Sequence, residues 1–177
     1  MKRIVVHLAL TVGVLTLVGC APALNWRQVA VGAQGAQAFL PCKPEQATRE
    51  VAVDPPPAPP RVLHMLACEA GGARFAVAWM AVTEPQNVAA LAQHWRRASG
   101  LGVGVTPASM QAQPWVVRHA RWSQRWRGTG QYQGEPMPAA WGWAGTDTEL
   151  IQLAVYGPLK PSAQETFWDG LNLPPAR

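Results

Sequence analysis

Acidic residues are scarce: ten Asp and Glu stand against fifteen Lys and Arg in 177 residues, for a formal net charge of +5. Cysteine occurs three times and tyrosine twice. Catalytic signatures are missing as well. The chain has no Gly-x-Ser-x-Gly, no His-Glu-x-x-His and no phosphate-cradling glycine loop. The nucleophile elbow, the helical zinc site and the P-loop therefore lack the residues that make them work. No Cys-x-x-Cys or His-x-x-x-His pair starts a tetrahedral metal site. No internal repeat recurs, which sets aside solenoids and propellers. No unbroken apolar run reaches the roughly 20 residues a spanning helix needs.

What is present begins at the first residues. Lys2 and Arg3 precede a mostly apolar stretch from Ile4 to Val18, and Leu17-Val-Gly-Cys20 closes it. A basic start, a short apolar run and a small residue before a cysteine make up the lipobox pattern. The stretch resembles the leaders of bacterial lipoproteins. That resemblance implies a signal peptide over 1–19, cleavage after Gly19, and lipid carried by Cys20 as a diacylglyceryl thioether with an acylated amine. A single acyl chain binds a bilayer only marginally, at ~0.8 kcal/mol per buried methylene, so several chains are needed to hold firmly. Ala21 stands where an aspartate would favour retention in the inner membrane. By that analogy the protein faces the periplasm from the outer membrane, with the inner membrane as the alternative. Residues 20–177 then make one domain. Without Lys2 and Arg3 it has thirteen cations against ten acids, too mild an excess to argue for nucleic acid.

With Cys20 lipidated, Cys42 and Cys68 remain, and an even remainder in an oxidising compartment reads as a disulfide. The alternatives are free thiols or a metal site shared with His64, four residues before Cys68. Strands are expected over 24–31, 36–42 and 49–53, with Gly32 to Gly35 as a turn. Asp54 to Pro60 holds five prolines in seven residues; it reads as a stiff polyproline loop or as a docking segment. Val62–Glu69 and Arg74–Val82 flank Gly71-Gly72, a hairpin signal. Phe75 to Val82 is apolar at successive positions, as a strand covered on both faces should be.

Thr83 and Gln86 have capping-box spacing before a helix near 85–98, and Gly100 is placed to stop it. His94, Arg96 and Arg97 then crowd its last turn, where the macrodipole favours cations. Residues 101–113 show no clear period. Ala139–Trp143 and Glu149–Tyr156 are the final strands, and Ser162 with Glu165 starts a last helix near 162–171. The chain is thus α+β: an antiparallel sheet of about six to eight strands with both helices packed on it. Its core takes Phe75, Val77, Trp79, Leu91, Trp95, Leu153, Val155, Phe167 and Trp168.

Trp115, Arg118, His119, Arg121, Trp122, Arg125, Trp126 and Arg127 follow one another with no acid among them. As a strand, Trp122, Gln124 and Trp126 share one face and Arg121, Ser123, Arg125 and Arg127 the other. Helical spacing also aligns Trp122 with Trp126. The pattern suits a half-buried strand. It also suits a binding surface made of Trp115, Arg118, Arg121, Trp122, Arg125, Trp126 and Arg127, since Trp and Arg are enriched at interface hot spots and at anionic membrane boundaries. Asp147 and Glu149 are close enough for cation or acid–base work, but beside Gly145 and Thr146 they read as a solvated turn. No grouping of Ser99, Ser109, Ser123 and Ser162 with His64, His94 and His119 stands out. No catalytic residue, metal or cofactor is assigned.

Asn25-Trp26-Arg27, Leu40-Pro-Cys-Lys-Pro44, Ala67-Cys-Glu-Ala-Gly-Gly72 and Phe167-Trp-Asp-Gly-Leu-Asn-Leu173 together are similar to segments of small proteobacterial lipoproteins. The order of elements resembles the PsbP-type α/β/α sandwich. Neither resemblance implies a catalytic or cofactor-binding residue at any position. The expectation is a non-catalytic, lipid-anchored envelope protein that binds an envelope protein or lipid. The alternative is a small-molecule or lipid carrier with a tryptophan-lined cavity.

Overall fold

In the computed structural model, residues 24–53, 59–84, 87–102, 104–105, 109–132, 134–158 and 160–175 are described. The leader, Cys20 and most of the proline segment lie outside them. Seven strands form one antiparallel sheet: β3 (Glu45–Val51), β4 (Arg61–Ala70), β5 (Ala73–Ala81), β6 (Gln111–Gln113), β7 (Trp122–Tyr132), β8 (Glu135–Gly145) and β9 (Glu149–Tyr156). Their spatial order is β3-β4-β5-β9-β8-β7-β6. A separate hairpin pairs β1 (Arg27–Val31) with β2 (Ala36–Leu40). The helices are α1 (Val88–Leu101) and α2 (Pro161–Asp169). The α+β architecture expected from the sequence is the one observed, and α1 and α2 together with the small hairpin sandwich the sheet.

Burial follows from strand position. Glu149 to Val155 in the central strand β9 are all buried, because helix covers one face and hairpin plus helix the other. On the first face Ala78, Met80, Trp141, Trp143 and Leu150 meet Val88, Leu91, Ala92 and Trp95 of α1. Gln152, buried among them, donates to Ser99 Oγ at 2.9 Å and so pays for its burial with a hydrogen bond. On the second face Phe75, Val77, Ile151 and Leu153 meet the β1–β2 hairpin, Phe167 and Trp168. Trp79 from the expected core is only half-buried. The outermost strand β3 is exposed along nearly its whole length, and its Glu, Gln, Thr and Arg side chains blunt a free edge.

The β4–β5 turn is the two-glycine hairpin the sequence announced. Gly71 and Gly72 have φ of +60° and +79°, the left-handed pair that a tight primed turn requires. Cys42, just past β2, is disulfide-bonded to Cys68 of β4, which staples the small hairpin to the large sheet.

Both helices depart from their expected ends. The first begins at Val88, after Asn87, with no side-chain cap. Asn87 Nδ2 instead donates to Glu84, and Val88 occupies the space left by Gly145. The helix also runs through Gly100 to Leu101. Gly100 is there for contact: a Cβ on it would sit 2.8 Å from the Val105 carbonyl oxygen, and Val105 N–H donates to the Gly100 carbonyl at 2.8 Å. No basic residue stands in the true last turn, so the macrodipole does not account for His94, Arg96 and Arg97. The second helix takes Pro161 at its first position, with Lys160 before it. Ser162 therefore lies inside the first turn, and the expected capping box with Glu165 does not form.

Candidate functional site

Trp122 to Tyr132 is a strand, not a helix, and its two faces lie in different layers. Trp122 and Trp126 pack toward α1. Arg96 of α1 lies over Trp126 with its guanidinium carbon 4.0 Å from the ring centroid. On the opposite face Arg125 lies 5.3 Å over Trp168 of α2. Arg127 Nε donates to Gln111 Oε1 at 3.1 Å across the β6–β7 pair. Arg121 pairs with Asp147 beyond the start of the strand. Arg118 is exposed. Trp115 precedes the strand, half-buried, edge-on to Trp168 at 5.8 Å. It rests where Gly142 has no side chain: a Cβ there would lie 2.6 Å from its ring. The seven residues singled out in the sequence thus divide between both faces of the sheet and one end of β7, rather than forming a continuous patch.

A larger electrostatic feature contains them. From residue 85 to residue 134 the chain has six arginines (96, 97, 118, 121, 125 and 127) and no acid. The rest of the chain after Cys20 has seven cations against ten acids. Folding places the acid-free segment in β6 and β7, at one edge of the sheet, and in α1, which packs on the first face beside them. Burial draws the Arg96 guanidinium below its ordinary value, and the charge of Arg97 beside it adds to the effect. Arg125 is lowered by burial too, with Asp169 opposing. Both stay cationic at neutral pH, since guanidinium ionises far above it. Arg97, Arg118 and Arg127 are exposed. Sequence reading confined to 115–127 missed Arg96 and Arg97; the acid-free span over 85–134 was the signal for them.

The remaining candidates are held in structural roles. Glu149 is 8% exposed, which corrects the expectation of a solvated turn. Its Oε1 accepts from Ala33 N–H at 2.7 Å, fastening β9 to the β1–β2 turn, and Gly32 at φ +67° leaves room for the carboxylate. His64 stacks on Trp79 at 5.4 Å, with Thr48 Oγ1 at 3.2 Å from its Nδ1. His119 Nδ1 lies 2.9 Å from the Leu173 carbonyl oxygen. Ser123 Oγ donates to the Trp115 carbonyl at 2.9 Å. Among the described residues no three His, Cys, Asp or Glu side chains cluster to hold a metal, and no helix is long and apolar enough to cross a membrane.

Two grooves open at opposite ends of the strands. One of about 800 Å³ lies where β4 begins and β5 ends, beside Val62, His64 and Leu91. The other, about 640 Å³, lies past the end of α1, beside Ala73, Met137 and Tyr156. Among the described residues neither has a tryptophan in its wall. Compared with known proteins, the chain matches no family model, no curated protein and no solved structure.

Proposed function

We propose that this chain is a non-catalytic envelope protein, held to a bacterial membrane by lipid on Cys20, which binds an anionic envelope component through the edge formed by α1, β6 and β7. The observation that carries the reading is an acid-free stretch of sequence whose six arginines fold into α1, β7 and the loop before it, where Asp147 meets Arg121, Asp169 acts on Arg125, and Arg97, Arg118 and Arg127 stay exposed. Like charge gathered at one edge costs self-repulsion, and an anionic partner relieves it. Tryptophans behind the arginines supply flat apolar area with a polar tip, the composition of binding hot spots. The lipid anchor rests on Leu17 to Cys20, and the periplasmic address on that anchor together with the Cys42–Cys68 disulfide, which suits an oxidising compartment.

The test compares the full-length chain with a variant carrying Arg97→Glu, Arg118→Glu and Arg127→Glu, all at exposed positions. Both are recovered from cells crosslinked before lysis. The expected result is a salt-sensitive partner present with the parent and lost with the variant at equal expression. Equal recovery from both would overturn the reading. Mass analysis of the native N-terminus reports the anchor separately.

A further inference from the structure

The groove beyond the end of α1 lies at the pole from which the chain leaves toward Cys20. Leu24, the first described residue, places its side chain beside Gly71: a Cβ on that glycine would be 3.3 Å from Leu24 Cδ2. Gly72, the next residue, lines the groove itself. Three residues lie between Leu24 and Cys20, and even fully extended the four steps span only about 14 Å. A domain this size has a radius of gyration of about 15 Å, so so short a tether keeps this pole next to the bilayer. Its position rests on the lipid anchor proposed above.

The groove has the chemistry of an amphiphile site. Ala70, Ala73 and Met137 form an apolar wall. Arg74, Tyr156, Gln131 and Glu69 add polar groups to it, and about 640 Å³ is within the range of small-molecule sites. Trp141 Nε1–H donates to the Tyr156 phenol oxygen at 3.0 Å. No acceptor for the phenol proton stands among the described residues, so the hydroxyl can donate to solvent or to a ligand in the groove. Arg74 faces Glu69 at 3.8 Å with both side chains largely exposed, a pairing too weak to compete strongly with an incoming anion.

We infer that this groove binds one anionic acyl lipid taken from the membrane, with its chain along Met137 and the two alanines and its charged head at Arg74 and the Tyr156 hydroxyl. The chain's own N-terminal lipid would carry no anionic head, so the polar pair selects lipid of the bilayer.

Full-length protein is mixed with vesicles of phosphatidylethanolamine and phosphatidylglycerol that contain a diazirine fatty acid, then illuminated and mapped by peptide mass spectrometry. Adducts are expected on the strand ends around Ala70 and Met137 in the lipidated parent, and fewer of them in Cys20→Ser, which lacks the tether. Met137→Glu should lower them at least fivefold and Val62→Glu, at the opposite groove, should not. Arg74→Gln, at an exposed position, should reduce labelling by the fatty acid but not by a neutral diazirine monoacylglycerol. Adducts spread over the surface, adducts centred on the Val62 groove, or indifference to Arg74→Gln would each overturn the inference. An unacylated native N-terminus with adducts still at Met137 would remove the anchor and leave the site standing.

Discussion

Arg96 lies over the ring of Trp126, which ties the middle of α1 to β7 across thirty residues of sequence. Along the same strand Arg125 reaches the other way, over Trp168 of α2. One strand is thereby held to both covering layers by arginine on tryptophan. Such contacts are worth about 0.5–1 kcal/mol when exposed and about 2 kcal/mol when desolvated. Half-buried Trp126 lies between these limits. Arg96→Ala should cost about 1 kcal/mol in urea unfolding, and Arg96→Lys less, because lysine keeps the charge but not the flat guanidinium. An unchanged midpoint for Arg96→Ala would show that the contact contributes nothing to stability.

The Cys42–Cys68 disulfide closes a separation of 26 residues. In the chain-entropy model that constraint stabilises by roughly 3 kcal/mol. Thermal melts of the Cys42→Ser, Cys68→Ser double variant, or of the parent under reductant, should show a fall of that order. The two should coincide, since each removes the same bond; a parent insensitive to reductant would show that the thiols are not joined in solution.

Glu149 is buried and accepts the Ala33 N–H. Glu149→Ala would leave that donor unsatisfied at a cost of about 1–3 kcal/mol. Glu149→Gln keeps an acceptor oxygen and should recover much of the loss. Chemical unfolding of the two variants checks this, and equal losses would show that the charge matters rather than the hydrogen bond.

The α+β arrangement was legible because its signals are local. Gly71-Gly72 between two apolar runs specifies its turn without reference to the rest of the chain. The strand β5 is apolar at successive positions from Phe75 because both its faces are covered, and it reads that way. The alternation of Trp and Arg from 121 to 127 divides between the two layers as a strand requires. Contacts between distant segments were not legible. Gly100 looks like a helix stop, and only the folded chain reveals the Val105 carbonyl packed against it. Glu149 looks like a turn residue because its partner, Ala33, is 116 residues away. The basic edge was half visible: Arg96 and Arg97 had a local explanation in the helix terminus, which vanished when the helix continued past them.

Tyr156 should titrate above the ordinary phenol range. Burial raises its value most, while the hydrogen bond from Trp141 and the charges of Arg74 and Arg49 oppose it. The sign of the linkage follows: a folded-state value above the unfolded one, about 10, gives stability that is complete below pH 10. That stability is lost as pH rises toward the folded value. In a Tyr132→Phe background, phenolate absorbance should appear later in the folded protein than in denaturant, and Tyr156→Phe should flatten the decline in stability above pH 10. Coincident titration curves in folded and unfolded protein would remove the effect.

The claim that the arginine-rich edge is the binding surface is tested most directly by a photocrosslinking amino acid placed in cells at Arg97 and Gln113, and at Gln46 and Thr48 on the opposite edge strand. The account requires adducts from 97 and 113 that fade as salt is raised, and background alone from 46 and 48. Adducts from 46 and 48 with none from 97 and 113 would contradict it.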